Sequence, residues 1–289
     1  MENLSRGQTM NVIWLGTHAG YAELQLRLSA LGNSLSAADV KLGPGEGLDR
    51  YGPNPLRSSV RGKVLVGEVR GPMLNNASWM TRYFGIATYD DIRSFLSDAD
   101  ANEDVNYAVL SYTTPGGAAK GCESCANDIR RFSESRKPVV SYVNEAASAG
   151  LWLSSAGSKA VADKEGETGS LGAITVHTET SKMRAQMGLT DTIMRTSPKK
   201  AIANSLEPLS EEAKAEQMSR LQRAHNSFVA GVAGLRGLSI ETVESKIATG
   251  EMFWSDKAKR LGLVDSILPF NELVDRLSSS RPPKKGQKK

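Results

Sequence analysis

Short apolar stretches alternate with helical patterns between residues 63 and 157, and this alternation limits the chain to few folds. "KVLVGEV" (Lys63 to Val69), "YAVLSY" (Tyr107 to Tyr112) and "PVVSYV" (Pro138 to Val143) predict strands. "TYDDIRSFLSDA" (Thr88 to Ala99) predicts a helix capped by its threonine, and further helices are expected after the second and third strands. Strands that alternate with helices need crossover connections, so we expect an α/β fold with a largely parallel sheet.

The following part of the chain predicts three short strands and then mainly helix. The strand candidates are "KAVA" (Lys159 to Ala162), "GSLGAITV" (Gly169 to Val176) and "TDTIMRT" (Thr190 to Thr196). In "EQMSRLQRAHNSFVAGVAGL" the spacing predicts one long amphipathic helix. Its apolar positions recur at three- and four-residue steps: Met218, Leu221, Phe228, Val232 and Leu235, with His225 in the same series.

Composition shifts divide the chain into three parts. Residues 1–60 hold a helix candidate, "YAELQLRLSAL", and a Gly/Pro-rich connector over residues 41–59, residues 61–276 form the main domain, and residues 277–289 form a basic tail. The net charge is +4, and removing the tail's five basic residues leaves the body at 4 − 5 = −1. Nucleic-acid binding is therefore expected at most weakly, through the tail.

The apolar runs are shorter than the roughly 18 residues of a membrane span, and the first residues lack secretory features, so we expect a cytoplasmic protein without membrane contact.

Cysteine and histidine do not predict a metal site. Cys122 and Cys125 form "CESC", which in isolation is compatible with a redox pair or half of a zinc site. No second pair exists and His18, His177 and His225 are scattered, so the favoured interpretation is two reduced cysteines on the first turns of a helix. We expect neither metal nor cofactor.

Three loops of unusual composition follow predicted strands. In "TTPGG" (Thr113 to Gly117) the paired glycines leave backbone N–H groups open to a ligand. "AASAG" (Ala146 to Gly150) places Ser148 at a helix N-terminus among small residues, and "TGSLG" (Thr168 to Gly172) holds a second serine between glycines. Each motif alone has a structural interpretation, as a turn or as a helix N-cap. Their order after successive strands favours an anion-stabilising loop beside an exposed hydroxyl, the arrangement that acyl transfer requires.

A serine nucleophile needs a base, and no histidine clearly joins Ser148 in a triad. Lysine can serve if its pKa falls by roughly three units, which corresponds to about 4 kcal/mol that burial can supply. Lys199 and Lys200 in "SPKK" are the candidates, and the residues alone do not choose between them.

The order of these motifs from about Val64 to Ile267 resembles the signal peptide peptidase A family of serine proteases, whose fold is similar to Clp protease and crotonase. The motifs that carry the resemblance are "TPGG" at 114–117, "KPVVSYVNEAASAG" at 137–150, "GSLG" at 169–172 and "RTSPKKAI" at 195–202. The resemblance implies repeated β-β-α units, a helical C-terminal part and a Ser-Lys dyad. The implied roles are nucleophile for Ser148, base for Lys200, lysine-orienting residue for Ser170, and oxyanion-hole donors for Gly116, Gly117 and Ala149.

This chain departs from the family pattern at three positions. Thr114 stands where serine is usual, Ser197 replaces a glycine, and Lys199 adjoins Lys200. Two of these departures, Ser197 and Lys199, lie in the lysine motif.

Within the family, "HTETSKMRAQMGL", "FVAGVAGLRGLS" and "DKAKRLGLVDSI" look most like phage capsid-assembly (prohead) proteases. The resemblance implies a serine endopeptidase that forms a homo-oligomeric ring. It would process scaffold, portal or its own ends in the procapsid, in the host cytoplasm. Two alternatives remain open: a soluble bacterial peptidase that degrades signal peptides or other small peptides, and a catalytically silent assembly module.

Overall fold

Two sheets organise the protein. The computed structural model describes residues 13–17, 19–24, 26, 56–78, 81–82 and 84–281. The strands are β1 (Trp14–Gly16), β2 (Arg57–Arg61), β3 (Val64–Arg70), β4 (Met73–Leu74), β5 (Ala87–Thr88), β6 (Tyr107–Thr114), β7 (Gly116–Ala118), β8 (Val139–Ala147), β9 (Lys159–Gly169), β10 (Met252–Trp254) and β11 (Ser266–Ile267). The helices are α1 (Tyr89–Ala101), α2 (Cys122–Ser135), α3 (Ala149–Ser155), α4 (Ser181–Gln186), α5 (Glu211–Arg236), α6 (Ile240–Lys246), α7 (Ser255–Arg260) and α8 (Phe270–Ser279).

The larger sheet has seven strands in the order β10-β9-β8-β6-β3-β2, with β11 beside β9. Its central strands β3, β6, β8 and β9 are parallel, and β2 and β10 pair antiparallel at the two ends. Near-continuous burial along β6 and β8 fits strands that are covered on both faces. The carboxyl ends of these parallel strands consequently lie along one edge, where ligand sites of α/β sheets form.

The smaller sheet follows the order β1-β7-β4-β5. Apart from β1, its short strands follow β3 and β6 in the chain, so β3-β4-β5-α1 and β6-β7-α2 repeat a strand, short strand and helix unit. The predicted α/β class, its β-β-α units and the helical C-terminal part of a Clp protease/crotonase-like fold are confirmed by this topology.

The predicted helix after Thr88 is present, and the predicted long helix begins at Glu211 rather than at Glu216. Thr88 caps α1 through a capping box with Asp91, as its sequence pattern indicated. The long helix α5 packs against α3, where the rings of Phe228 and Trp152 stack with centroids 5.0 Å apart. In its predicted apolar stripe Phe228 and Val232 are buried, whereas Met218 near the start of α5 is 55% exposed.

Two strand predictions are wrong. "GSLGAITV" is not a strand: β9 runs unbroken from Lys159 to Gly169, and the positive φ of Ser170 ends it, leaving Ile174 in an isolated bridge. "TDTIMRT" forms no strand because the segment runs across the surface without a neighbouring strand to pair with in the described part of the chain.

The predicted division into residues 1–60, 61–276 and 277–289 stays a prediction. Residues 19–24 and 26 are helical, β1 belongs to the smaller sheet, and residues 57–59 of the expected connector lie in β2. Residues 25, 27–31 and 41–55 of the helix and connector predictions, and residues 282–289 of the basic tail, lie outside the described residues. No described helix is long and apolar enough to cross a membrane.

Candidate active site

The three Gly-containing loops meet at one edge of the larger sheet. Thr114 at the end of β6 pairs with Ala146 of β8, and Ala147 pairs with Gly169 at the end of β9. The N–H of Ser148 donates to the carbonyl of Gly169 at 2.7 Å. The structure therefore brings together five of the six predicted site residues: Gly116, Gly117, Ser148, Ala149 and Ser170.

Ser148 occupies a strained turn between β8 and α3. Its φ of 52° and ψ of −109° lie in a region that non-glycine residues rarely adopt. The side chain makes no capping bond to α3, it is 0% exposed, and its Oγ has no hydrogen-bond partner among the described residues. The helix-cap interpretation is therefore not supported, and strain together with an unpartnered hydroxyl is typical of a functional position.

The candidate oxyanion donors differ in what they already bind. Gly116 donates its N–H to Thr114 Oγ1 at 3.2 Å, and Thr114 Oγ1 in turn donates to the carbonyl of Gly71 at 2.7 Å. Ala149 is the first residue of α3, so its N–H has no acceptor within the helix. A β-carbon on Gly150 would lie 2.7 Å from Thr114 Cγ2, which shows how closely α3 packs on the "TPGG" loop.

Ser170 follows β9 as Ser148 follows β8, with the same φ of 52°. Its N–H donates to the carbonyl of Glu251 at 2.6 Å, so the loop is attached to the residue before β10. Gly169 has a φ of 144°, and a β-carbon there would lie 2.3 Å from the Glu251 carbonyl oxygen. This turn therefore requires glycine before the serine.

The lysines lie in an exposed turn over residues 198–203. Lys199 forms an ion pair with Glu216 at 3.4 Å, and Lys200 forms no ion pair with any described residue. Since Ser148 Oγ has no partner, the Lys200 amine is not hydrogen-bonded to it in this single chain.

No histidine of the described residues is hydrogen-bonded to Ser148, because Ser148 Oγ has no partner and the buried Nε2 of His177 has none either. His225 contacts Glu244 at 3.2 Å on the side of α5 that faces α6.

Cys122 and Cys125 are free, buried and in the first turn of α2, as predicted. Burial raises the pKa of Cys125 to about 12 and that of Cys122 well above its usual value, so neither thiol ionises readily. Among the described residues no three His, Cys, Asp or Glu side chains form a metal-binding group.

Two carboxylates lie opposite one another just before the site. Glu145 of β8 pairs with Glu167 of β9. The pKa of Glu145 is raised, first by partial burial and then by the negative charges of Glu167 and Glu23. Like charges at paired positions of two strands oppose each other.

One contact at the site was missed by the sequence predictions. β1 pairs antiparallel with β7, which begins inside the "TPGG" loop, with Leu15 opposite Gly117 and Gly16 opposite Gly116. The apolar run "NVIWLG" was a signal for this strand. A strand of three residues, however, is too short for the alternation of apolar and polar residues to predict it.

The family model for peptidase family S49 matches residues 131–282. Head-tail preconnector protein GP5 of Enterobacteria phage P21 is 28% identical over 218 residues, which are 75% of this chain and 43% of that protein. Capsid assembly protease C of Escherichia phage lambda is 26% identical over 260 residues, which are 86% of this chain and 58% of that protein. Protease 4 of Haemophilus influenzae is 28% identical over 220 residues, 75% of this chain and 35% of that protein.

The chain thus spans about half the length of the two phage relatives. Among solved structures, an enoyl-CoA hydratase from Shewanella pealeana ATCC 700345 aligns over 81% of this chain and 77% of its own, with 14% identity and a TM-score of 0.46. The family match covers more than half of the chain and includes the strand and turn that carry Ser148. The predicted family is therefore confirmed, and the chain belongs to peptidase family S49.

Proposed function

We propose that the protein is a serine endopeptidase in which Ser148 is the nucleophile. The observation that carries this proposal is the β8–α3 turn, which combines a strained backbone, an unpartnered buried Oγ and the adjoining N–H of Ala149. Membership of peptidase family S49 supports it independently. Ser148 Oγ attacks the carbonyl carbon of the peptide bond, and the oxyanion receives hydrogen bonds from the backbone N–H groups of Ala149 and the "TPGG" loop, for which Gly117 and Gly116 are the candidates.

Lys200 is the proposed base. A neutral amine takes the proton from Ser148 Oγ, passes it to the leaving amine, and then activates the water that hydrolyses the acyl-enzyme. Lys199 is the weaker candidate because its Nζ already contacts the carboxylate of Glu216 at 3.4 Å. Ser170, on the loop beside Ser148, is proposed to orient the lysine.

The exposed turn that holds Lys200 must approach Ser148, either by a rearrangement within the chain or from a neighbouring subunit of an oligomeric ring. A mixture of Ser148→Ala and Lys200→Ala proteins distinguishes the two. If the dyad forms between subunits, mixed oligomers regain part of the activity that each variant lacks, whereas a dyad within one chain gives no recovery.

The proposed substrates are scaffold, portal or other procapsid proteins in the host cytoplasm, including the enzyme's own ends. The names of two relatives, a head-tail preconnector protein and a capsid assembly protease, support this choice. The competing enzyme role, a peptidase for small peptides, is supported by the likeness to Protease 4. Genes for portal and capsid proteins beside this one would favour the phage role.

Co-expression with the adjacent capsid genes tests the proposal. Wild type should yield processed products, while Ser148→Ala and Lys200→Ala should not, and Lys199→Ala serves as the matched lysine control. Retained cleavage by purified Ser148→Ala would exclude this mechanism. A properly folded wild type that neither cleaves the capsid proteins nor reacts with a fluorophosphonate at Ser148 would favour the silent assembly module.

A further inference from the structure

β1 lies along the free edge of β7, the strand that begins inside the proposed oxyanion loop. Three antiparallel pairs join them: Trp14 with Ala118, Leu15 with Gly117 and Gly16 with Gly116. The contact continues past both ends of the strands, because the N–H of Ala119 donates to the Ile13 carbonyl at 2.9 Å and that of Thr17 to the Pro115 carbonyl at 2.8 Å. The other edge of β7 is taken by β4, so β1 uses the edge that would otherwise be open.

The second edge of β1 faces the segment that follows the Ser170 loop. Trp14 donates its N–H to the Ile174 carbonyl at 2.9 Å and accepts from the Ile174 N–H at 3.0 Å. β1 therefore lies between the segments that follow two of the three site loops, and it is hydrogen-bonded to both.

The register gives the Leu15 carbonyl a specific partner. Successive residues of an antiparallel strand direct their backbone groups to opposite edges. Because Trp14 directs both of its groups to Ile174, while Ile13 and Thr17 bond to the β7 side, Leu15 is the residue that bonds to Gly117. The Gly117 N–H, proposed above as an oxyanion donor, thus faces a carbonyl of the chain itself.

Side chains fix β1 in this position. Trp14 is 0% exposed and Leu15 is 1% exposed. Trp14 packs edge-on against Tyr21 with ring centroids 6.1 Å apart, and both belong to a small buried cluster with Leu24 and Ile86. Leu15 also lines a cavity of about 750 Å³ that Trp152 of α3 borders.

We infer that β1 occupies the position of a peptide substrate's backbone, so that residues 14–16 act as an internal blocking strand along the proposed oxyanion loop. This inference rests on the proposed function. An extended peptide binds a protein edge through the backbone N–H and C=O groups of that edge, and one set of groups serves one strand at a time. Substrate must therefore displace β1 from the edge of β7. A substrate strand in this place would put an apolar side chain where Leu15 lies.

The test is to weaken β1 and measure cleavage of fluorescein-labelled β-casein. Leu15→Pro removes the N–H that bonds to β7 and leaves the Trp14 anchor, while Trp14→Ala removes the anchor. Each should raise kcat/KM, and an increase of the unblocked fraction from about 1% to about 10% corresponds to a tenfold gain. Val60→Pro in the exposed edge strand β2 is the matched control and should leave kcat/KM unchanged. Folded Leu15→Pro and Trp14→Ala proteins with unchanged or lower kcat/KM would overturn the inference.

A second measurement covers the case in which these variants do not fold. In full-length Ser148→Ala protein, addition of a β-casein peptide should increase deuterium uptake at the amides of residues 13–17, since β1 leaves β7. Peptide binding without such an increase contradicts the inference. A new N-terminus at Gly16 in wild type, formed at a rate independent of protein concentration and absent in Ser148→Ala, would also support it, because cleavage within one chain requires the strand to lie at the site.

The two proposals fail differently. If wild type cleaves β-casein and Ser148→Ala does not, but Leu15→Pro gives no gain, only the blocking strand is wrong. If Leu15→Pro cleaves faster and Leu15→Pro combined with Ser148→Ala cleaves equally fast, the proposed nucleophile is wrong and the blocking strand stands.

Discussion

Two serines in the same backbone conformation follow neighbouring parallel strands, and their surroundings differ. Ser148 and Ser170 both have a φ of 52°. After Ser148 the chain enters α3, and the hydroxyl is buried without a partner. After Ser170 the chain continues without a helix, and the loop is held through the bond from its N–H to the Glu251 carbonyl.

The difference shows what makes one of two similar turns a candidate for nucleophilic attack. Both turns accept the cost of a positive φ, about 1–3 kcal/mol for a non-glycine residue. Only the Ser148 turn adds the start of a helix, whose first N–H groups lack internal acceptors and lie beside the hydroxyl. Ser170 has the same positive φ but no helix start beside it. This arrangement suits a residue that positions another group.

Replacing each hydroxyl separately should give the largest difference between the two turns. Ser148→Ala removes the attacking atom, so cleavage of β-casein should fall by at least about 10⁴-fold. Ser170→Ala removes a positioning group and should cost about 10–100-fold, mainly in kcat. Steady-state kinetics on folded variants measures both. Equal losses for the two variants would mean that the assignment of roles is wrong.

The glycines of the Ser170 turn offer a matched pair for stability. Gly169→Ala places a β-carbon 2.3 Å from the Glu251 carbonyl oxygen at a φ of 144°, and it should destabilise the fold by about 2–4 kcal/mol. Gly172→Ala meets no atom within 4 Å and should change stability by less than about 0.5 kcal/mol. Urea unfolding measures both free energies. A similar small effect at both positions would show that the attachment of the loop to Glu251 is not rigid.

Glycine substitutions separate backbone strain from the buried hydroxyl. Ser170→Gly relieves the positive φ but adds unfolded-state freedom, for a net gain of about 0.5 kcal/mol. Ser148→Gly also removes a buried hydroxyl without a partner, so its gain should be larger, about 1–2 kcal/mol. Thermal unfolding at one pH measures the difference. If Ser148→Gly raised the free energy of unfolding less than Ser170→Gly does, the buried Ser148 hydroxyl would not be destabilising the fold.

The sequence predicted those strands, helices and site motifs that depend on local residue patterns. Apolar runs and caps located β3, β6, β8, α1 and α5, because burial on both faces and capping are local properties. Motif order identified Ser148 and its companions at one sheet edge, although their catalytic roles stay predictions. The strand predicted at residues 190–196 was wrong because β-branched residues form a strand only beside a partner.

The contacts of β1 could not be predicted in the same way. Its pairing with β7 joins residues about 100 positions apart in the chain, and no local pattern in a three-residue strand specifies such a partner. The choice between Lys199 and Lys200 also depends on a residue that is distant in the sequence. The family resemblance implied Lys200, but the ion pair that distinguishes Lys199 from it becomes visible only when Glu216 of α5 lies beside the turn.

The smallest expected effect concerns the carboxylates that precede the two turns. The pKa of Glu145 is raised in the folded protein, so the folded state holds its proton more tightly than the unfolded state does. Its favourable contribution is therefore present at acidic pH and is lost as pH rises through the raised pKa. Glu145→Gln removes the repulsion with Glu167 and should raise the melting temperature slightly at pH 7.5, with a smaller change at pH 4.5. Glu134→Gln, at an exposed position of α2, is the control. An equal rise in melting temperature at both pH values would mean that the effect comes from packing and not from charge repulsion between Glu145 of β8 and Glu167 of β9.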